Sequence, residues 1–165
     1  MENCFSAYVF DENLKKIMHS LKYQKLSSIG FEIGVVSAEE AGKDYFFPYD
    51  CIVPVPVHHT RLRERGYNQV LFIAEGLNSV SGKPVISVLA RIRKTGSQTR
   101  LSKEERALNI RGAFAIRKKF RDYIKNKKIL LIDDVYTTGA TSDEARRILI
   151  ENGSELVTVF TVCRA

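Results

Sequence analysis

The stretch ILLIDDVYTTGAT, residues 129–141, says most about the architecture of this chain. Its apolar residues, Ile129 to Ile132, lead into two adjacent acids, Asp133 and Asp134, and then into three threonines that flank a glycine. A continuous apolar run is typical of a parallel strand that is buried on both faces. We therefore predict a buried strand over 129–133, followed by a turn that is rich in hydroxyl groups.

The composition predicts one domain over residues 1–165. Hydrophobic residues make up 44% of the chain, which is enough to build one core. No apolar run reaches the roughly 18 residues of a membrane span, and the N-terminus has no basic leader before an apolar segment. The three cysteines are scattered without C-x-x-C spacing, so we expect neither a cysteine zinc site nor a disulfide framework. These features predict a cytoplasmic protein.

Helical and extended patterns alternate along the chain. Apolar spacing predicts a helix that begins after Asp11 or Asn13, and further helices over 29–41, 68–79 and 142–151. Apolar, β-branched runs predict strands over 5–10, 51–54, 85–89, 114–116, 129–133 and 156–162. Residues 91–111 are polar and show little apolar periodicity. This order predicts an α/β fold with a mainly parallel sheet flanked by helices.

The formal net charge of +7 is distributed unevenly. Eleven Lys or Arg residues lie between Arg91 and Arg121, and only Glu104 and Glu105 oppose them. A second basic run consists of Arg61, Arg63 and Arg65. Such regions attract polyanions, either a pyrophosphate group or a nucleic-acid backbone, although any one of these side chains is also explained as solvated surface.

The two acids and the turn behind them predict a ligand site. In an open parallel sheet, ligands bind at the carboxyl ends of strands, and a helix N-terminus there favours an anion. Gly139 permits a tight turn, and three hydroxyls can donate to phosphate oxygens: those of Thr137, Thr138 and Thr141. Carboxylates repel phosphate, so Asp133 and Asp134 suit sugar hydroxyls or a hydrated Mg²⁺. A ribose 5-phosphate satisfies both halves; an Asp N-cap with a threonine turn is the alternative.

Residues 129–141 resemble the phosphoribosyl pyrophosphate (PRPP) signature of type I phosphoribosyltransferases, in which apolar residues precede two acids and T-T-G-x-T. The rest of the chain resembles the ComF family of competence-associated proteins. Five further segments carry that resemblance in family order: SLKY at 20–23, VPVP at 53–56, RLRERGYNQ at 61–69, RIRKTGSQ at 91–98 and RALNIRGAF at 106–114. Together they cover nearly the whole chain.

The resemblance implies a type I phosphoribosyltransferase fold with a flexible lid loop over 91–111. Asp133 and Asp134 would be the catalytic pair that holds the ribose hydroxyls. The 5′-phosphate would be bound by Val135, Tyr136, Thr137, Thr138, Gly139, Ala140 and Thr141. The loop that faces pyrophosphate would comprise Val55, Pro56, Val57 and His58. The basic and lid residues would be Arg61, Arg65, Asn68, Gln69, Arg91, Lys94, Thr95, Gln98 and Arg100, with helix capping as the alternative role for Asn68.

The implied function is that of a PRPP-binding, phosphoribosyltransferase-like protein of the ComF type, which serves DNA uptake in natural transformation. Mg²⁺ would enter with PRPP, without a direct protein cage, and Asp133 and Asp134 would contribute to its binding. No residue stands out as a base for an acceptor, so the acceptor stays open. The alternative is a non-catalytic module that responds to PRPP or a nucleotide and either binds single-stranded DNA or regulates nucleotide metabolism.

The resemblance also implies the DNA-uptake machinery as a partner, and a homodimer as the assembly. Many ComF family members carry an N-terminal cysteine-rich zinc module. The present sequence starts at the helical region before SLKY, so the contribution of such a module is not expected here.

Overall fold

Six strands and six α-helices alternate along the part of the chain that the computed structural model describes, residues 4–9, 11–23, 27–95 and 102–165. In chain order they are β1 (Cys4–Val9), α1 (Glu12–Tyr23), α2 (Ser27–Ala41), β2 (Cys51–Pro54), α3 (His59–Arg65), α4 (Gln69–Ser81), β3 (Leu89–Arg91), α5 (Lys103–Ile110), β4 (Phe114–Ile116), β5 (Lys128–Tyr136), α6 (Ala140–Glu151) and β6 (Leu156–Arg164). The main sheet has the order β1–β6–β5–β2. All its pairings are parallel, which confirms the predicted α/β fold.

The main sheet is covered on both faces because alternate residues of each strand point to opposite sides. Leu130 and Ile132 of β5 join one core cluster with residues of α1, α2 and α4. Ile129 and Leu131 join a second cluster with residues of α6 and the β3–β4 pair. The four consecutive apolar residues of β5, Ile129 to Ile132, thus serve two cores, as the continuous apolar run predicts.

The first strand, β1, lies at one edge of the main sheet and pairs with the sixth strand, β6. Cys4 and Val9 of β1 lie opposite Val159 and Arg164 of β6. Across this pair the hydroxyls of Ser6 and Thr161 are hydrogen-bonded at 2.7 Å, although 155 residues separate them in the sequence. Of the pairings in the main sheet, this one joins the residues that are farthest apart in the sequence, near the two ends of the described chain.

Two glycines let α2 and α4 cross with their backbones in contact. A Cβ on Gly34 would lie 2.1 Å from the Ile73 carbonyl oxygen, and one on Gly76 would lie 2.1 Å from the Phe31 carbonyl oxygen. Real Cβ atoms do not approach backbone atoms so closely, so only glycine fits either position. This crossing fixes α4, which carries part of the site described below.

The predicted capping residues are confirmed at two helices. The Asp11 carboxylate accepts a hydrogen bond of 2.7 Å from the Leu14 N–H at the start of α1. The Asn68 side chain accepts one from the Val70 N–H at the start of α4. The prediction of a strand over 85–89 is wrong. Only Val85 forms an isolated bridge, to Ile52, because the chain then crosses from the main sheet to the short antiparallel β3–β4 pair.

Two helices fall where no helix was predicted. The first, α3, has no buried residue, and α5 lies inside the polar 91–111 segment, where Ile110 is its buried apolar residue. Neither helix therefore produces the apolar periodicity on which sequence-based prediction depends. A capping box formed by Ser102 and Glu105 nevertheless marks the start of α5.

Within the described residues, Cys4, Cys51 and Cys163 form no disulfide, and burial raises the pKa of Cys51 to about 11. Within the described ranges, no helix combines the length and the apolar character that a membrane span requires.

Candidate functional site

The site lies where β2 leaves the sheet and β5 continues. The pairing of β2 with β5 ends at Pro54 and Ile132, whereas β5 remains paired with β6 as far as Tyr136. The predicted end of this strand at residue 133 is therefore wrong. Asp133 and Asp134 belong to the strand. Because β2 no longer pairs with β5 at these residues, the cleft lies beside this part of β5.

The two acids are held by opposite layers of the fold, because consecutive strand residues point to opposite faces. Asp133 faces α6: its Oδ2 accepts a hydrogen bond of 2.8 Å from the Ser142 hydroxyl. Asp134 faces α4: its Oδ2 accepts one of 3.2 Å from the Gln69 Nε2. Asp133 is only 7% exposed, and each acid also accepts from the next backbone N–H in the chain. Both carboxylates line the same cleft.

The turn at 137–139 leads into the N-terminus of α6, whose N-cap is Gly139. This glycine adopts the left-handed conformation, with φ of 80°, and a Cβ there would lie 2.4 Å from the Tyr136 hydroxyl oxygen. A glycine N-cap provides no side-chain acceptor, so the first N–H groups of α6 are not capped by it. Uncapped N–H groups and the helix dipole make this end of α6 suitable for an anion.

The Val55–His58 loop forms the opposite wall of the cleft. The Val55 N–H donates to the Ile132 carbonyl oxygen at 2.9 Å, which anchors the loop where β2 ends. His58 caps α3, because its Nδ1 accepts a hydrogen bond of 3.3 Å from the Thr60 N–H. Burial, the neighbouring His59 ring and the positive charges of Arg91 and Lys94 lower the pKa of His58, which favours the neutral form of its ring.

The segment Arg65-Gly66-Tyr67-Asn68-Gln69 connects this wall to the acids. Gln69 is 4% exposed, and its Oε1 accepts a hydrogen bond of 3.1 Å from the Arg65 guanidinium. Asn68 does not line the cleft; besides capping α4, its Nδ2 donates to the Val55 carbonyl oxygen at 3.1 Å. The capping alternative for Asn68 is therefore the one that the structure shows.

Basic side chains surround the acids. Arg91, Lys94 and Thr95 line the cleft, and the Arg91 guanidinium donates to the Thr95 hydroxyl at 2.6 Å. Burial lowers the pKa of Arg91, whereas the nearby Asp133 carboxylate raises it. The Arg91 Nε is buried and has no hydrogen-bond partner among the described residues. The predicted lid residues Gln98 and Arg100 lie outside the described residues.

Arg106 lies on α5, in the C-terminal part of the 91–111 segment, and its side chain reaches the turn at 137–139. Its Nη1 lies 3.5 Å from the Thr137 hydroxyl oxygen. The end of α5 is fixed by two contacts: Arg93 donates to the carbonyl oxygens of Asn109 and Arg111, and the Gly112 N–H donates to the Glu144 carboxylate at 2.7 Å. These contacts fix the end of α5 and therefore help to fix the position of Arg106 on that helix.

The cleft has a volume of about 830 Å³ and brings together most of the predicted site. It includes Asp133 and Asp134, the turn from Thr137 to Thr141, and the loop from Val55 to His58, together with Val135, Arg61, Arg65, Gln69, Arg91, Lys94 and Thr95. Tyr136 is not among the lining residues, because its ring packs against the second core cluster. Sequence reasoning missed Thr60, Glu64, Arg106 and Ser142, whose roles depend on contacts between distant segments.

Comparisons with known structures define the class of fold. The chain is similar to the allosteric regulatory enzyme of purine biosynthesis, with 21% identity and a TM-score of 0.55 over 81% of this chain and 25% of that one. It is equally similar to the glutamine PRPP amidotransferase of B. subtilis, with 21% identity and a TM-score of 0.54 over 81% and 26%. The chain has a phosphoribosyltransferase fold.

Sequence relatives identify the family. No family model matches the chain. The DNA utilization protein YhgH of Salmonella typhi is 30% identical over 92% of this chain and 67% of its own length. Competence protein ComFC of Bacillus subtilis is 30% identical over 97% and 63%, and Competence protein F of Haemophilus influenzae is 32% identical over 70% and 51%. The chain belongs to the ComF family. It spans about half to two thirds of the length of these relatives.

Proposed function

We propose that the cleft binds PRPP together with Mg²⁺. The observation that carries this proposal is that two carboxylates, Asp133 and Asp134, lie beside the glycine-capped N-terminus of α6 in one cleft with basic walls. Carboxylates suit sugar hydroxyls, whereas uncapped backbone N–H groups and threonine hydroxyls suit a phosphate. PRPP carries both groups on one ribose, with a pyrophosphate at C1.

The three parts of PRPP correspond to three parts of the cleft. The ribose hydroxyls would donate to Asp133 and Asp134. The 5′-phosphate would accept from the turn from Thr137 to Thr141 and from Arg106, which lies beside Thr137. The pyrophosphate would lie against the Val55–His58 loop and the cations of that side: Arg61, Arg65, Arg91 and Lys94. The cations of the cleft would thus face the phosphate groups, and the two acids would face the neutral sugar hydroxyls.

The residues of the cleft fit a magnesium ion that is carried by the ligand. Within the described residues, no group of three or more His, Cys, Asp or Glu side chains could hold a metal by itself. Mg²⁺ usually binds through one or two carboxylates and the oxygens of a substrate phosphate, and Asp133 and Asp134 provide that number. When bound, Mg²⁺ would neutralise part of the pyrophosphate charge.

If the protein is an enzyme, the C1–O bond to pyrophosphate breaks, the bonding electron pair leaves with pyrophosphate, and an acceptor lone pair forms the new bond to C1. The residues of the chain would contribute positioning and charge stabilisation rather than a covalent intermediate. Closure of the 91–111 segment would exclude water, which otherwise competes as the acceptor.

Calorimetric titration with PRPP, in the presence and absence of Mg²⁺, tests the proposal. We expect saturable binding that weakens when Mg²⁺ is removed, because the ion offsets repulsion between pyrophosphate and the two acids. No binding at about 1 mM PRPP would reject the proposal. A screen for pyrophosphate release with nucleobases, amines and nucleic acids then tests whether the bound ligand reacts.

The names of the relatives, Competence protein and DNA utilization protein, support a role in DNA uptake. A second candidate function is binding of single-stranded DNA without catalysis. It is favoured by α3, which presents Arg61 and Arg63 as exposed cations beside the cleft. In that case PRPP would act as a signal, and the basic surface would contact the DNA backbone.

A further inference from the structure

We propose that Gln69 is a positioning residue that couples the two halves of the cleft, by linking Arg65 on the pyrophosphate side to Asp134 on the ribose side. This inference rests on the proposed binding of PRPP and goes beyond it, because it assigns to one buried amide the communication between two subsites. It predicts that an anion bound near Arg65 increases the affinity of the cleft for the sugar.

The orientation of the Gln69 amide is fixed by the chemistry of its neighbours. Arg65 can only donate hydrogen bonds, and an ionised Asp134 can only accept them. The amide therefore presents Oε1 to the Arg65 guanidinium, at 3.1 Å, and Nε2 to the Asp134 carboxylate, at 3.2 Å. If the amide were flipped, its Nε2 donor would face the Arg65 donor, and its Oε1 acceptor would face the Asp134 acceptor. The amide thus has one orientation that satisfies both partners.

The segment around Gln69 is held on both sides. Gly66 ends α3 in the left-handed conformation, with φ of 85°, so the chain turns sharply between Arg65 and Gln69. The Tyr67 hydroxyl donates to the Leu21 carbonyl oxygen of α1. Asn68 caps α4 and donates to the Val55 carbonyl oxygen in the pyrophosphate-facing loop. Gln69 itself is 4% exposed, so these contacts hold the backbone of the segment, whereas the Arg65 side chain is only partly buried and keeps freedom that a bound anion can restrict.

Coupling follows from the shared cost of ordering these side chains. An anion on the guanidinium of Arg65 restricts that long side chain, and through it the Gln69 amide and the Asp134 carboxylate. A sugar that binds next finds its carboxylate acceptor already ordered, so it loses less conformational entropy. By reciprocity, the sugar increases the affinity for the anion by the same factor.

The test separates the two fragments of the ligand. Calorimetry measures the affinity for ribose 5-phosphate in the absence and in the presence of saturating pyrophosphate with Mg²⁺. For the wild-type chain we expect pyrophosphate to raise the affinity about fivefold or more, the lower end of common allosteric couplings. In Gln69→Met, which keeps the length of the side chain and removes its polar ends, we expect that ratio to fall to about one.

A second variant separates the two contacts of the amide. In Gln69→Glu, the carboxylate can still accept from the Arg65 guanidinium, but it has no donor for Asp134 and repels it. We expect the ratio of ribose 5-phosphate affinities with and without pyrophosphate to fall to about one in this variant also, because one of the two contacts is lost.

The matched control is Asn78→Leu, which removes another amide of α4 that donates to a backbone carbonyl, that of Lys83, away from the cleft. It should leave the fragment coupling unchanged. If wild type binds no PRPP, the proposed function fails and this inference fails with it. If wild type binds PRPP, and Gln69→Met or Gln69→Glu retains the coupling, the inference alone is overturned.

Discussion

Asp133 and Asp134 are neighbours in the sequence, yet each is supported by a different helix. Ser142 of α6 donates to Asp133, and Gln69 of α4 donates to Asp134. The two adjacent acids are therefore held by helices that lie on opposite faces of the main sheet. An ionised carboxylate has about four lone-pair sites, so both acids can accept hydrogen bonds from the same ribose.

We expect Asp133→Asn and Asp134→Asn each to reduce PRPP affinity at least about tenfold, because each loses one charged acceptor for a sugar hydroxyl or for hydrated Mg²⁺. Asp133→Asn should also cost about 1 kcal/mol of unfolding free energy, since its buried hydrogen bond to Ser142 becomes a neutral one. Calorimetry and urea unfolding measure the two effects. Unfolding of the double variant would instead show that the acids mainly support the turn.

Arg106→Ala should reduce the affinity for ribose 5-phosphate about tenfold, because a charge-assisted hydrogen bond to phosphate is lost. Calorimetry should also show that this loss becomes smaller at high salt. The control is Arg111→Ala, which removes the same charge from a residue that does not line the main cleft. An equal loss in both variants would indicate a general effect of charge and no specific phosphate contact.

At the level of elements, α2 and α4 pack backbone to backbone at Gly34 and Gly76. We expect Gly76→Ala to reduce the unfolding free energy by about 2–3 kcal/mol, because its Cβ would have to displace a backbone carbonyl. Alanine's higher helix propensity, worth about 1 kcal/mol, offsets only part of that cost. Urea unfolding measures the change.

Gly30→Ala is the matched control, since it adds the same methyl group to α2. Its nearest neighbours are Phe72 Cβ at 3.0 Å and Leu21 Cδ1 at 3.1 Å, so a shift of a few tenths of an ångström relieves the contact, whereas a Cβ on Gly76 would lie 2.1 Å from a backbone oxygen. The expected change is within about 1 kcal/mol of zero, because the gain in helix propensity opposes mild overpacking. Similar effects of the two substitutions would contradict the importance of the backbone contact.

The attachment of α5 to α6 through Glu144 depends on pH. The hydrogen bond from Arg147, and then the one from the Gly112 N–H, lower the pKa of Glu144 despite its burial. A lowered pKa stabilises the folded protein above the ordinary glutamate pKa, and this stabilisation is lost as the pH falls through the folded-state value. Glu144→Gln should therefore be less stable than wild type at pH 7, and the difference should shrink in acid. Urea unfolding across pH tests this; a constant difference would contradict it.

Sequence periodicity predicted the elements that bury an apolar face, and it missed those that do not. The strands of the main sheet were found because their apolar residues serve one core or two. No such pattern marks α3, which has no buried side chain. Val85, Ile86 and Val88 lie in a segment that crosses between two sheets, and periodicity cannot distinguish such a crossing from a strand.

The same limit applies to the site. The motif at 129–141 predicted the acids and the turn, because its residue types and spacing are specific. It could not predict that Gln69 and Ser142 hold those acids, since these contacts join segments that only the tertiary fold brings together. Arg106 was hidden for the same reason, inside a segment that lacks apolar periodicity.

At the level of the whole molecule, the charge of +7 predicts a salt-dependent interaction with polyanions. If α3 and the rim of the cleft contact single-stranded DNA, the logarithm of affinity should fall with the logarithm of salt by about 0.7 for each phosphate contacted. Arg63→Ala should reduce that slope by about the same amount. Fluorescence anisotropy with an oligonucleotide measures both.

Lys125→Ala is the control for DNA binding, because Lys125 already pairs with Asp122 at 2.8 Å. It should leave the slope unchanged. A flat salt dependence for the wild-type chain would reject a phosphate-contacting surface altogether.

The pairing of β1 with β6 also has a consequence for biosynthesis. Because 155 residues separate Ser6 from its partner Thr161, a ribosome that adds about 5–20 residues per second needs roughly 10–30 s to produce the second strand after the first. During that time β1 has no partner in the main sheet, and Phe5 lacks Phe160, the ring on which it stacks. The main sheet therefore gains β1 only after β6 has been synthesised, and the nascent chain has an interval in which chaperones can bind its first strand.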